Sequence, residues 1–527
     1  MMLPLIDFEI LDEILSKRFE NIDFKLQDLP SYEHFKDMQK SSLRIKQAIL
    51  EKQNIFLVGD YDVDGVISTT LMILFFETIK YDKFKWIIPN RFTHGYGLSM
   101  ALVDKLHGAD LIITVDNGIG AFEVAKWCND NSIDLIITDH HTPAKNLPDA
   151  YAIINPKQND CNFPFAEICG AQVAWYLIAS LKNILGVSVD LKSLLGLVSL
   201  AIVADIMPLV GINRAMVIAG LRELLKDQSK AIELLREHRL NFTSEDIAFW
   251  IAPLLNSAGR IADATKAVEF LRSQTLQEAR EKFENLVSYN TLRKTIEQET
   301  TKEALKSIAN PDDSILVCVG KDWHEGVLGI VAARVAEQLK KPVIVLTTLN
   351  DKLLKGSGRS YGDCDLHKSL VEVSSCLKTF GGHRAAIGLS LEREKLVFFT
   401  KKLKYSFVKC DDYKPIQKIV GLLPFESINS SLIEVIKRYE PYGEGNLTPT
   451  FKIKNIQIVH ARELGGGEHI RYLLKQGDIQ YEAIHFRAKE KFKVNQEVDL
   501  TCQIKENNFR GITKLQLLIE NIYITNS

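Results

Sequence analysis

Five aspartates and two histidines stand where three short apolar runs end, and together they could hold divalent cations. Asn54–Gly59 (NIFLVG) runs into Asp60, Asp62 and Asp64, Leu111–Val115 (LIITV) runs into Asp116-Asn117-Gly118, and Leu135–Thr138 (LIIT) runs into Asp139-His140-His141. A further carboxylate, Asp205, is the first charge after the apolar stretch Leu194–Ala204. So many carboxylates cannot share a small volume unless cations neutralise them, and a lone buried carboxylate is costly unless it is paired or bound to metal. Oxygen-dominated ligation with one or two imidazoles and no thiolate suits Mn²⁺ or Mg²⁺ better than structural zinc. The excess of carboxylates over the needs of one ion implies two ions with a shared ligand. Such a pair activates a water and stabilises the leaving oxygen in phosphodiester hydrolysis.

Two other uses of these residues compete with that one. Asp-x-Asp-x-Asp-Gly also opens an EF-hand loop, but the twelfth position, which must be a bidentate Glu, is Leu71, and a strand precedes the motif. Asp116 alone could equally cap a following helix; four such segments together favour a metal site. Adjacent His140 and His141 cannot easily face one ion, so one is expected to be a ligand and the other to meet substrate phosphate.

The elements that must position these residues can be read from hydrophobic pattern. Asn54–Gly59, Leu111–Val115, Leu135–Thr138 and Tyr151–Asn155 lack polar alternation, as strands buried on both faces of a parallel sheet do. Helical periods over Val66–Lys80 and Ala121–Asn131 supply crossovers, giving an α/β region whose ligands should lie beyond the strand ends. Ala171–Leu185 and Leu191–Ala204 read as buried helices. Thr275 and Glu278 form a capping box for a helix running to about Ile308, a rod of about 45–50 Å that can join two domains. A second α/β unit follows, with strands Ile315–Val319 and Val343–Thr347 around a helix Val327–Leu339. The last part reads as a small antiparallel barrel with strands Phe451–Val459, Tyr472–Leu474, Tyr481–Phe486, Val498–Ile504 and Lys514–Ile524, separated at Gly465–Gly467, Gln476–Asp478 and Asn507-Asn508.

The 527 residues suffice for about three domains, and 46% hydrophobic with 25% charged residues excludes disordered and collagen-like classes. The longest apolar run is too short to span a bilayer, the amino terminus lacks the order of a secretory signal, and 8 cysteines without C-x-x-C make no disulfide framework. A cytoplasmic protein with no membrane association is expected. The net charge of −2 would argue against a nucleic-acid partner, but it hides opposed segments: residues 1–200 carry −8, residues 201–400 +1 and residues 401–527 +5.

The motifs VGDYDVDG (58–65), RFTHGYGLS (91–99), VDNGI (115–119), TDHH (138–141), VADIMPL (203–209), PLLNSAGR (253–260), WHEGVLGIVAARV (323–335), GSGRS (356–360), GGH (381–383) and PYGEGN (441–446) follow one another in order over most of the chain. In these the chain resembles the DHH phosphoesterases, and within them the bacterial exonucleases specific for single-stranded DNA. The resemblance implies a 5′→3′ exonuclease that acts on single-stranded DNA in recombination and repair with two Mn²⁺ or Mg²⁺ ions. It casts Asp60, Asp62, Asp64, Asp116, His140 and Asp205 as metal ligands, Asp139 as the residue that orients the histidine next to it, and His141 as a phosphate contact.

By spacing alone, Gly356–Ser360 and Gly381–Arg384 are ordinary glycine-rich turns, and neither is a P-loop. The resemblance makes them loops of a second domain that closes over the first. Ser357, Arg359, Gly381, Gly382 and His383 would then contact phosphate, with Arg260 a further candidate for the DNA track. After GGH the family usually has two small residues before the next glycine; here they are Ala386 and Ile387, so packing beneath the phosphate loop should differ. The implied organisation is a helical extension (1–45), a DHH domain (46–265), a connecting helix (266–310), a DHHA1-like domain (311–410) and an OB-like barrel (411–527). The barrel's Tyr472, Tyr481, Phe486 and Phe509, interleaved with Lys and Arg, suit stacking of unpaired bases, with the binding role assigned to the barrel as a whole rather than to any one ring. The run Lys401-Lys402-Leu403-Lys404 reads as a solvated helix face. A helicase or a single-strand-binding protein is a conceivable partner that the residues do not reveal, and a monomer is the expectation.

Overall fold

The computed structural model describes residues 3–238, 242–350, 352–407, 419–488, 490–509 and 512–525. The chain divides into two compact units. One comprises Asp28–Met207 and Met216–Lys414; the other comprises Met1–Gln27, Pro208–Ala215 and Pro415–Ser527. Among the described residues no helix is long and apolar enough to cross a membrane.

The larger unit begins with a five-stranded, wholly parallel sheet. Its strands are β1 (Ile55–Val58), β2 (Phe84–Ile87), β3 (Leu111–Val115), β4 (Asp134–Thr138) and β5 (Ala152–Ile154), in the order β2-β1-β3-β4-β5. Every residue of β1, β3 and β5 is buried, which is why their sequences are apolar without alternation. β2 has no counterpart in the sequence reading. It is a four-residue edge strand, half exposed, and Lys85 interrupts its apolar run. In-register pairing of Val58 with Thr114 and of Val115 with Thr138 brings the carboxyl ends of β1, β3 and β4 to one rim. The strand order changes direction between β1 and β3, and ligand crevices form at such a point.

Helices Val63–Thr78, Gly170–Leu185 and Leu195–Ala204 pack on one another beside this sheet, and their near-continuous burial explains their lack of a polar face. The long helix spans Leu276–Lys306. Thr275 accepts a hydrogen bond from the Glu278 amide at 3.2 Å, while Glu278 reaches back to the amide of Gln274, one residue beyond the expected reciprocal partner.

The second sheet holds β6 (Leu316–Lys321), β7 (Val343–Asn350), β8 (Leu353–Arg359), β9 (Thr379–Gly382) and β10 (Ala386–Glu392), in the order β6-β7-β8-β10-β9. β6 and β7 are parallel and the other pairs antiparallel. The glycine-rich segments expected as loops are therefore largely strand: Gly356–Arg359 lies in β8, and Gly381-Gly382 ends β9. In β8 glycine is required by crowding, whereas Gly382 has φ +128° beside the turn that His383 closes. A Cβ on Gly358 would sit 2.7 Å from the Ile387 side chain, which is buried across the ladder from it. This is how the chain accommodates a large residue after GGH.

In the smaller unit, β11 (Ile419–Leu422) runs parallel to β12 (Thr450–Leu464), which leads into β13 (His469–Gln476), β14 (Ile479–His485), β15 (Glu497–Phe509) and β16 (Ile512–Ile524). The order β12-β13-β14-β16-β15, closed by β12–β15 pairing, is a five-stranded barrel. One pairing, β14 with β16, is parallel where an all-antiparallel barrel was expected. The expected break at Asn507-Asn508 lies inside β15, opposite Lys514 and Thr513; residues 510–511, between β15 and β16, lie outside the described ones. Tyr472 is a core residue and so not available to a base, while Tyr481 is half-buried against the core with its hydroxyl donating to the Ile428 carbonyl. Phe486 is exposed, and the Phe509 side chain lies outside the described residues.

The first residues belong with this barrel. Ile6 and Leu422 donate backbone hydrogen bonds to the Leu422 and Pro4 carbonyls respectively, both at 2.8 Å, and Leu11 and Leu15 of helix Phe8–Ser16 share a core with Leu432 and Ile436 of helix Ser430–Arg438. Within the same unit Arg214 donates to the Arg438 and Glu440 carbonyls.

Candidate metal centre and phosphate-facing surface

Asp60 follows β1 closely and is buried. Asp62 caps helix Val63–Thr78, its carboxylate accepting the Gly65 amide at 3.2 Å. Asp64, in the first turn of that helix, is fixed by the amides of Gly170 and Ala171 at 2.6 and 2.8 Å, donors that the N-terminus of another helix leaves without an intrahelical partner. Asp116 ends β3 with φ +62°, a left-handed conformation that turns its carboxylate toward the other aspartates. Asn117 locks this corner: its amide donates to the Val58 and Val115 carbonyls and its Oδ1 accepts the Leu98 amide. Nothing in the sequence pattern assigns Asn117 this role beyond its place in the strand-end Asp-Asn-Gly.

The three strand ends and Asp205 converge. His140 Nε2 lies 3.2 Å from Asp116, 3.6 Å from Asp64 and 3.6 Å from Asp205. Three overlapping sets, Asp116-His140-His141, Asp64-His140-Asp205 and Asp60-Asp62-Asp116, each place their ligand atoms within 4.8 Å of one another. His141 thus stands closer to His140 and Asp116 than neighbouring residues facing apart would. Asp139 also differs from expectation: it orients His141, not the side chain of His140. One of its oxygens accepts the His141 Nδ1 proton at 2.7 Å together with the His140 and His141 amides, and the other accepts the Ile119 amide.

The electrostatics of this cluster call for cations. Burial, then the neighbouring carboxylates, push Asp60 and Asp116 well above the carboxylate range, and the same causes raise Asp205 to about 9. Burial holds His140 below its ordinary value, as a neutral imidazole able to ligate metal. Burial would also lower His141, but the hydrogen bond and charge of Asp139 outweigh it and hold the ring at about 9. Asp60 Oδ1, Asp116 Oδ1, Asp205 Oδ2 and His140 Nδ1 are buried without a hydrogen-bond partner. Orphaned carboxylate oxygens are what a divalent ion satisfies, so the residues fit one.

The second cluster is cationic. Arg260, at the end of helix Ala252–Ile261, donates to the Gly326 carbonyl at 3.4 Å. Burial first, then Arg91 and Arg293, lower its pKa to about 10, and Arg359 acts in the same sense. Arg91 was not singled out from sequence; its guanidinium lies 4.1 Å over the Tyr61 ring and its Nε is unpartnered. Arg359 donates to Gly358 O at 3.1 Å, and Ser357 Oγ bonds the Ile387 carbonyl at 3.0 Å. His383 closes a tight turn, exchanging backbone hydrogen bonds with Ala386, and after burial the largest influence lowering its pKa is His141. The Tyr96 hydroxyl lies 3.3 Å from His141 Nε2. Aspartates and guanidiniums within electrostatic reach of one another, Asp62 of Arg260 and Arg91 of Asp60, suit a phosphate ester held against metal ions.

The family described as "DHH family, N-terminal domain" matches residues 54–202, the DHHA1 domain matches 312–409 and the RecJ OB domain matches 421–521. The chain is 32% identical over 510 residues to the single-stranded-DNA-specific exonuclease RecJ of Haemophilus influenzae, covering 90% of this chain and 88% of that protein. It is 31% identical over 539 residues to that of Escherichia coli, covering 96% and 93%. The crystal structure of Thermus thermophilus RecJ in complex with Mn²⁺ superposes with a TM-score of 0.83 at 24% identity, covering 100% of this chain and 80% of that one. A structure of exonuclease RecJ bound to manganese gives a TM-score of 0.63 at 29% identity, covering 71% and 96%.

Proposed function

Since the chain belongs to the RecJ family of single-stranded-DNA-specific exonucleases, we propose that it degrades single-stranded DNA from the 5′ end in recombination and repair, as a phosphodiester hydrolase that uses two Mn²⁺ or Mg²⁺ ions. The observation that carries the reading is the buried set of carboxylates and one neutral imidazole with orphaned ligand atoms. Asp60, Asp62, Asp64, Asp116, His140 and Asp205 hold the ions. When bound, the ions make a water acidic enough to attack at neutral pH and offset the charge on the leaving oxygen.

The remaining roles fall to the chain's own groups. Asp139 fixes the His141 ring, whose Nε2 then faces the phosphate. Arg359, Arg260 and His383 hold phosphate oxygens, Ser357, whose hydroxyl proton goes to the Ile387 carbonyl, accepts from Arg359 and steadies it, and Gly381 and Gly382 leave room for the strand's backbone beside them. Their donors are in place before substrate arrives, so the charge that develops on the phosphate meets an already oriented field.

Beyond the active site, Arg462 and Arg471 face each other across β12 and β13. Arg471 also pairs with Glu482 on β14, and the second arginine opposite it on the ladder adds a charge useful against a polyanion. Arg471 and Lys514, together with Glu482, line a groove of about 310 Å³ on the barrel, which we assign to the strand. A helicase that unwinds duplex, or a protein that coats single strands, is the partner this reading supplies, for a monomer working in the cytoplasm. The test is digestion of 5′-labelled single-stranded DNA with Mn²⁺. Asp116→Ala and His140→Ala should each abolish nucleotide release, and full activity in both would end the assignment.

A further inference from the structure

Away from the metal centre, the most deeply buried ionic group among the described residues is Glu297 of the long helix, which has no exposed surface. Arg293, one turn earlier, donates to its Oε2 at 2.7 Å and is itself braced by Asn290 Oδ1 at 3.0 and 3.1 Å. The other oxygen, Oε1, pairs with the guanidinium of Arg334 on helix Leu328–Leu339. This ion pair therefore crosses from the connecting helix to the second α/β domain.

Two more contacts tie the second domain to the helices before it. Trp323 Nε1 donates to Glu303 Oε2 at 2.7 Å. Gly326, just ahead of helix Leu328–Leu339, presses so closely on the Arg260 carbonyl that no Cβ would fit. Buried ion pairs seldom add net stability over apolar residues of equal volume. What they can add is a fixed register between the elements they join. The joined helix matters to catalysis because Gly329, in its first turn, lies against Arg359: a Cβ there would sit 3.2 Å from Nη2. Any slide of the helix moves the phosphate-holding guanidinium with it.

We infer that Glu297 is a positioning residue whose pairing with Arg334 sets the distance between the metal centre and the phosphate-holding surface of the second domain. It rests on the phosphodiesterase reading for its consequence, although the clamp itself is a matter of geometry. A positional error of about 1 Å costs up to about a hundredfold in rate, so a small slide is enough to be measured.

Arg334→Met cuts the pairing between helices while leaving the Arg293–Glu297 pair intact. The Arg334 side chain is 43% exposed, so the variant should fold. In the full-length protein with Mn²⁺ and a 5′-labelled single-stranded oligodeoxynucleotide, kcat should fall about tenfold or more, with Mn²⁺ affinity by calorimetry unchanged. Electron–electron distances between spin labels on unnatural residues at exposed Glu123 and Lys368 should broaden from the parent's single population. Arg334→Lys, which keeps the charge, should recover most of the rate and the narrow distribution. A parent-like distance distribution in Arg334→Met would overturn the inference, whatever its activity. So would a broadened one with parent kcat, because the register would then be irrelevant to catalysis. If the parent itself failed to cleave the strand, the functional reading would fall, while the distances would still decide the clamp.

Discussion

Replacing Gly170 by alanine is the smallest change that should disable the centre. Its amide holds Asp64 Oδ2 at 2.6 Å, and a Cβ would stand 2.5 Å from Asp116 Cβ and 2.6 Å from Oδ1. Ordinary contact begins near 3.4 Å, so the two elements must part by about 1 Å. Neither has an easy way to yield. Asp116 is held in a left-handed conformation at a strand end, and Asn117 beside it is tied to two strands. Gly170 opens a helix whose first amides bind Asp64. The methyl therefore separates two proposed ligands of the same site. Overpacking should cost about 1–3 kcal/mol of stability. A displacement of reacting groups by about 1 Å costs about a hundredfold in rate, or roughly 2.7 kcal/mol of barrier. The assay is kcat/KM on labelled single-stranded DNA with Mn²⁺, together with Mn²⁺ calorimetry and denaturant melting. Gly120→Ala is the control, since nothing lies within 4 Å of its Cβ. A Gly170→Ala protein with parent activity and parent Mn²⁺ affinity would refute the geometry.

Three further outcomes are expected. Stripping divalent ions should lower the melting temperature, and Mn²⁺ at about a hundred times its Kd should add about 2.7 kcal/mol of stability, an effect that Asp60→Asn should shrink; a melting temperature indifferent to chelator and Mn²⁺ would count against the metal centre. Ile387→Ala should destabilise the second sheet by about 2–4 kcal/mol in denaturant melts, because Ile387 is buried against Gly358, which has no side chain to fill the gap; a cost below the noise would show that its size is incidental. Arg462→Ala and Lys514→Ala should each flatten the salt dependence of single-strand affinity by about 0.7 in the log–log slope, measured by fluorescence anisotropy; unchanged slopes would remove the barrel from the DNA track. Point substitutions are the right tool there. Removing residues 415–527 would strip Ile6, Leu11 and Leu15 of the core they share with the barrel and would confound the measurement.

The strand ends were legible because chemistry and pattern coincide in them: four runs without polar alternation, three of them stopped by aspartate, read as buried parallel strands with a polar rim. What the sequence hid was set by tertiary neighbours. β2 is short, exposed at the sheet edge and broken by Lys85, so its pairing partner, not its composition, makes it a strand. The glycines of β8 and β9 imitate a loop, although Gly358 is small because Ile387 stands across the ladder. The partner of Asp139 could not be read either. His140 and His141 both follow it closely in sequence, and only the turn after β4 decides that His141 receives the carboxylate while His140 faces the other aspartates. Arg91 escaped for the same reason, since its significance lies in the company of Arg260 and Tyr61.

The net charge of −2 concealed two local excesses that do not cancel each other. The aspartates after β1 and β3 carry orphaned buried oxygens, and Arg260 is buried among guanidiniums that depress its pKa. Folding could have paired acids with bases, yet the carboxylate that eases Arg260 is Asp62, which acts through its charge and is outweighed by burial and the neighbouring guanidiniums. Both clusters cost stability as they stand, and each lacks what the other side of a metal–phosphate contact would bring. A divalent ion satisfies the carboxylates, a phosphate satisfies the guanidiniums, and the two neutralise one another between them. On the proposed reading each ligand lowers the cost of binding its counterpart, which would couple metal and strand thermodynamically. Near-neutrality of the whole chain is thus compatible with a nucleic-acid partner, because the charges that bind it are set against ions rather than against the rest of the protein.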